Sequence, residues 1–101
     1  MNLQDREELK QHIEKLINYG GMFEQNDHKT QRWFRSAMNI HLTDLSSRDI
    51  IRDYIVVCDD TNNDTESNTF KAEIYYREHK EHNFNKLEVV ATRSSTTFYQ
   101  V

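Results

Sequence analysis

Glu78, His79, Glu81 and His82 bring two carboxylates and two imidazoles together in one short stretch. These are ordinary ligands for zinc or iron. His-x-x-His in a short connection presents two ligands from one side, however, and the other soft donors, His41 and Cys58, stand far away in sequence. A structural zinc site closes with four ligands, so a solvated polar loop is the expected reading. Asp53, Asp59, Asp60 and Asp64 form a second acidic group. Paired carboxylates of this kind can serve glycoside hydrolysis, one donating a proton and the other acting as nucleophile or base. That chemistry needs a pocket that raises one carboxyl pKa. The Asp, Asn, Thr and Ser around these residues are turn-formers, and turn and capping roles are expected. Cys58 is the only cysteine. It can make no intramolecular disulfide and no Cys-x-x-Cys site, which fits a reducing compartment. Within an apolar run its thiol should behave as a small buried group. Gly20 and Gly21, the only glycines, adjoin, so there is neither a glycine-rich phosphate loop nor a serine-centred nucleophile elbow. No catalytic, cofactor-binding or metal residue is assigned, and no cofactor is expected.

Local patterning predicts the elements that carry these groups. Leu9, Ile13, Leu16 and Ile17 recur at helical spacing opposite Glu8, Lys10, Glu14 and Lys15, which predicts an amphipathic helix over 4–19 with Gly20 as its C-cap. Asp27 is a suitable N-cap for a second helix. Its apolar side gathers Trp33, Phe34, Ala37, Met38 and Leu42, and it should end near Asp44, before an interruption at 46–49. From Ile50 onward the period becomes two and β-branched and aromatic residues dominate. Residues 51–58 are apolar except for Arg52 and Asp53, the pattern of a strand covered on both faces, and therefore central in its sheet. A polar turn over 59–68 leads to Phe70, Ala72, Ile74 and Tyr76 alternating with Lys71, Glu73, Tyr75 and Arg77, a half-buried strand. After a polar connection over 78–83, Leu87, Val89 and Ala91 alternate with Lys86, Glu88 and Thr92, with Val90 as the one apolar residue on the polar side. This strand should run antiparallel to the one before it.

The last six residues, Thr96, Thr97, Phe98, Tyr99, Gln100 and Val101, have high β-propensity and follow a polar hinge, Arg93, Ser94 and Ser95. Two readings stay open. The segment either pairs with a neighbour's sheet edge, by strand donation, or folds back as a fourth strand. The expected fold is α+β: two N-terminal helices packed on a small, mainly antiparallel sheet of three or four strands, with a core domain over 1–95 and a C-terminal extended arm over 96–101.

A chain of 101 residues has room for one domain. Its 36% hydrophobic content predicts a thin core, while Trp33, five Phe and five Tyr argue for a folded chain. Thirteen Lys and Arg against seventeen Asp and Glu give a net charge of -4, which speaks against phosphate-backbone binding and hence against a nucleic-acid partner. Residues 1–10 are polar where a secretory signal is apolar, and no run approaches the ~18 apolar residues of a membrane span. No membrane association is expected, and the cytosol or its equivalent is the expected place of synthesis.

The string Ile51-Arg52-Asp53-Tyr54-Ile55-Val56-Val57-Cys58-Asp59-Asp60-Thr61-Asn62-Asn63 resembles the first sheet strand and turn of the contractile-tail sheath proteins of bacteriophages. The similarity continues through Asn68-Thr69-Phe70-Lys71-Ala72-Glu73-Ile74-Tyr75 and into Asn83-Phe84-Asn85-Lys86-Leu87-Glu88-Val89-Val90-Ala91-Thr92-Arg93, with Phe98 placed as in that family's terminal arm. The helical half agrees in layout. Where the family usually carries Pro-Ala-Arg, this chain has Glu78-His79-Lys80.

The resemblance implies a structural role without catalysis. In such sheaths a core domain packs around the tail tube, and extended arms exchanged between neighbours knit hexameric rings into a contractile lattice. Thr96, Thr97, Phe98, Tyr99, Gln100 and Val101 would then be a donated arm, and Tyr54, Val56, Cys58, Phe70, Ile74, Leu87 and Val89 would belong to the accepting sheet. The implied partners are tail sheath subunits, the tail tube and baseplate proteins in a homo-hexameric ring, within a virion assembled in the host cytoplasm. Sheath subunits are typically several times longer, with outward domains and an N-terminal arm, so the expected role is a baseplate sheath initiator that templates sheath assembly by strand exchange. A neck-end or minimal sheath subunit is the near alternative. Rivals from other classes are a small cell-wall-degrading hydrolase using Glu78, Glu81 or Asp59, and a monomeric regulatory binding module.

Overall fold

The computed structural model describes residues 1–20, 27–64, 69–78, 80–92 and 95–100. Asn2 starts helix α1 (Leu3–Gly20): its Oδ1 accepts from the Asp5 amide at 2.8 Å, while Asp5 Oδ2 accepts from the Asn2 amide at 3.4 Å. Two orphan donors of the first turn are thereby satisfied reciprocally. Asp27 caps helix α2 (His28–Ser47) in the same way, its extended backbone letting Oδ1 accept from the Thr30 amide at 2.8 Å.

Helix α2 runs past Asp44 to Ser47. Its end is a Schellman arrangement. Ile50 N–H donates to the Leu45 carbonyl and Asp49 N–H to that of Ser46, with Asp49 in the left-handed region at φ 59°. Ile50 then packs against the core beside buried Leu45. The polar stretch at 46–49 is thus the helix's last turn and cap, not a break before it. The buried stripe of α2 also differs from the expected one, running through Gln31, Phe34, Met38, Leu42 and Leu45. Trp33 lies on the flank, 40% exposed.

Four strands follow, β1 (Ile51–Val57), β2 (Phe70–Glu78), β3 (Asn85–Ala91) and β4 (Thr96–Gln100), in one antiparallel sheet of order β1-β2-β3-β4. This is the α+β fold expected, with the fourth strand present. Both helices supply one continuous core with a single face of the sheet: Leu9, Ile13 and Ile17 from α1, the α2 stripe, and Phe70, Ala72, Ile74, Tyr76, Leu87, Val89 and Ala91 from the strands. Phe34 meets Phe70 edge-on, centroids 5.0 Å apart. Burying each of the larger side chains contributes roughly 1.5–3 kcal/mol, which is why a thin core suffices.

One expectation changes here. The strand at 51–58 is not central; β1 is an edge strand. Its apolar residues do not signal cover on both faces, because Tyr54 and Val56 turn toward the helices while Ile55, on the other side, is 52% exposed. Of the two readings left open for the terminal segment, the single chain takes one over Thr96–Gln100. Thr96–Gln100 pairs with β3 through Ala91↔Thr96, Val89↔Phe98 and Leu87↔Gln100, which is the fold-back alternative. Thr92 N–H donates to the Ser95 carbonyl at 2.8 Å, which holds the start of β4 beside the end of β3. Val101 lies outside the described residues, as do Arg93, Ser94 and residues 65–68.

Candidate functional site

β1 and β4 leave the sheet with two edges, each a row of backbone groups without a neighbouring strand among the described residues. β1 is anchored from below by α2. The Tyr54 and Thr43 hydroxyls are hydrogen-bonded, the Arg35 guanidinium donates to the Cys58 carbonyl, and Ser46 Oγ donates to the Arg52 carbonyl at 3.5 Å. A register irregularity between Ile51 and Asp53 sets the alternation. Asp53, Ile55 and Val57 then stand on the sheet face turned away from the helices, opposite Arg77, Tyr75 and Glu73. The Arg77 guanidinium holds Asp53 by two hydrogen bonds, Nε to Oδ1 at 2.8 Å, and lies over the Phe84 ring at 4.9 Å. Those bonds hold the Asp53 carboxyl below its ordinary range and push Arg77 up.

The far end of β1 is held by Asn63, which the sequence reading did not single out. Its side-chain amide pairs with the Lys71 backbone as a strand would, Nδ2 donating to the carbonyl at 2.7 Å and Oδ1 accepting from the amide at 2.8 Å. The same Nδ2 donates to the Asp59 carbonyl at 3.1 Å. The Asn62-Asn63 pair within a run of turn residues was the available signal, but nothing local says which Asn reaches across. β4 is held differently. Phe98 packs against the core, Gln100 Nε2 donates to the Lys86 carbonyl at 3.3 Å, and Tyr99 points outward at 52% exposure. Beyond the ladder itself, few side chains tie it down.

Tyr54, Val56, Cys58, Phe70, Ile74, Leu87 and Val89 are brought together, all on or against the helix-covered core. They build the sheet. With that face already filled, what β1 can offer another strand is its edge backbone and the outward side chains Ile55 and Val57, which the sequence reading left out. Thr96 and Phe98 face inward with the core strands, and Thr97 and Tyr99 face out.

The chemistry-bearing residues do not converge. Glu78 is ion-paired with the Met1 ammonium, Glu81 Oε2 accepts from Asn85 Nδ2 at 3.2 Å, His82 is exposed, and His79 lies outside the described residues. Among the described residues no group of three or more His, Cys, Asp or Glu could hold a metal ion. Asp59 accepts from the Thr61 amide at 2.9 Å and from its hydroxyl at 2.5 Å, and these bonds hold its carboxyl below the usual value. A proton donor needs the opposite shift. Cys58 is buried, and desolvation pushes its thiol up to about 12. Among the described residues no helix is long and apolar enough to cross a membrane.

No protein-family model matches the chain, and no solved structure matches it. Among curated proteins it is similar to the tail sheath protein of Vibrio phage KVP40, with 35% identity over 96 aligned residues that take in 92% of this chain. The chain spans 14% of the length of that relative. The aligned stretch is long enough to take in both helices and most of the strands, and over it the chain is similar to part of a phage tail sheath protein.

Proposed function

We propose that this chain is a structural part of a phage contractile tail and joins its neighbours through the two edges of its sheet, β1 accepting a strand and β4 being exchanged. The observation that supports this most directly is β1 itself. It turns the apolar Ile55 and Val57 outward, Ile55 52% exposed, at an edge with no strand alongside among the described residues. A long apolar edge is a template for pairing. Exchange of β4 keeps the ladder it makes with β3 and changes only which chain supplies it, so the cost includes opening the Thr92–Ser95 hydrogen bond. Phe98 would fill the same inner position in either arrangement.

In this reading the domain is a virion component that works without catalysis or cofactor, and its partners are sheath subunits, the tail tube and baseplate proteins. Among the roles open to a sheath relative we favour a baseplate sheath initiator, because one domain carrying both a strand to lend and an edge to fill has what a hexameric templating ring requires. The test is deletion of 96–101. The truncated chain should keep its helical circular dichroism and sediment as a monomer while failing to nucleate sheath polymerisation, which the full chain should accelerate. Undiminished nucleation by the truncated chain would overturn strand exchange. Sheath polymerisation that proceeds at the same rate with or without the full chain would overturn the initiator role.

A further inference from the structure

We infer that the stacked imidazoles of His12 and His41 form an acid-sensitive joint between α1 and α2. The inference is independent of the assembly role. The two rings lie across the helix pair with centroids 4.2 Å apart and planes within 16° of parallel. Both residues are only partly exposed, and His41 Nε2 is buried with no hydrogen-bond partner among the described residues. An unprotonated ring nitrogen tolerates such a place at modest cost. A protonated one would bury a cationic N–H with no acceptor, against a second ring that carries the same tendency.

The charges that face the pair do not remove this conflict. On α1, Lys15 opposes a proton on His12, while Glu8 favours one on His41; on α2, Asp44 favours a proton on His41 and Arg48 opposes it. Burial is the largest effect for both rings, and each is held below the ordinary 6.5. The sign follows from linkage. With the folded value depressed, the unfolded chain binds protons more readily, so stability is fully present above pH 6.5 and falls as the pH drops below it toward the folded values. α2 also carries Arg35 and Thr43, which tie down β1, so the joint sits one helix away from the sheet edge.

The experiment uses the full chain. Imidazole proton shifts followed by NMR from pH 8 to pH 4.5 should show both rings titrating below 6.5. Thermal unfolding should occur several degrees lower at pH 5.5 than at pH 7.5, and the doubly substituted chain, His12→Gln with His41→Gln, should lose most of that difference. His28, His79 and His82 remain in both proteins, so the comparison isolates the stacked pair. Either ring titrating at or above 6.5 in the unsubstituted chain would overturn the inference, and so would an equal acid-induced fall in the double variant. The titration needs no substitution, so a variant that failed to fold would still leave the inference open to refutation.

Discussion

Replacing Ile55 by lysine should leave the isolated domain intact and prevent it from pairing along β1. Ile55 is 52% exposed, so about half of the roughly 1.5–3 kcal/mol available from burying an isoleucine is not realised in the single chain. That leaves on the order of 1 kcal/mol for a partner to claim. Ile55→Lys forfeits it and places an ammonium where a neighbouring strand would have to desolvate it, which is how natural edge strands resist pairing. Each 1.4 kcal/mol is about tenfold in affinity, so association should weaken by roughly tenfold or more. Stability of the monomer should change by no more than about 0.5 kcal/mol. Ile74→Ala supplies the contrast. Ile74 is fully buried on the helix-covered face, and its truncation should cost about 2–5 kcal/mol. Thermal unfolding of both variants, with sedimentation of mixtures with sheath subunits, reads the two quantities separately. The reasoning is refuted if the lysine variant associates as well as the unsubstituted chain, or if it loses as much stability as Ile74→Ala.

Asn63→Ala should destabilise the fold by about 2 kcal/mol in chemical denaturation, because it strands the Lys71 amide and carbonyl at a part-buried site. Asp49→Gly should raise stability by up to about 1 kcal/mol in the same assay, since a glycine takes the left-handed C′ position of α2 without strain. Cys58, buried and with its thiol pushed up to about 12, should stay inert to a thiol reagent at pH 8 until the protein is unfolded. The depressed Asp53 carboxyl contributes stability that is present above the ordinary value of 3.8 and lost as the pH falls below it. An acid unfolding series should show that component shrinking in Arg77→Ala.

The periodicities were legible because each reflects a local rule. Apolar spacing marked both helices, Asp27 marked the start of the second, and the alternation from Phe70 to Tyr76 and from Leu87 to Ala91 marked two adjacent antiparallel strands. What misled was the reading of position from hydrophobicity. A strand rich in apolar residues is central only if another strand lies on each side, and among the described residues β1 has one neighbour. Trp33 was assigned to the core because it is large and apolar, but the buried stripe is set by which turn of α2 faces the sheet, and that places Phe34 inside and Trp33 on the flank. The left-handed Asp49 that ends α2 was hidden, because no glycine announced it.

From its residues alone, this chain carried the patterns of an α+β fold, with two amphipathic helices ahead of β-strands and turn-forming residues around Asp59. Those properties follow from hydrogen bonding and side-chain periodicity over a few neighbours. Only the tertiary structure decided that β1 lies at an edge, that β4 closes on β3, that Asn63 stitches the turn to β2, and that His12 meets His41. Each of these depends on where distant segments pack, and a local pattern permits several such packings at nearly equal cost.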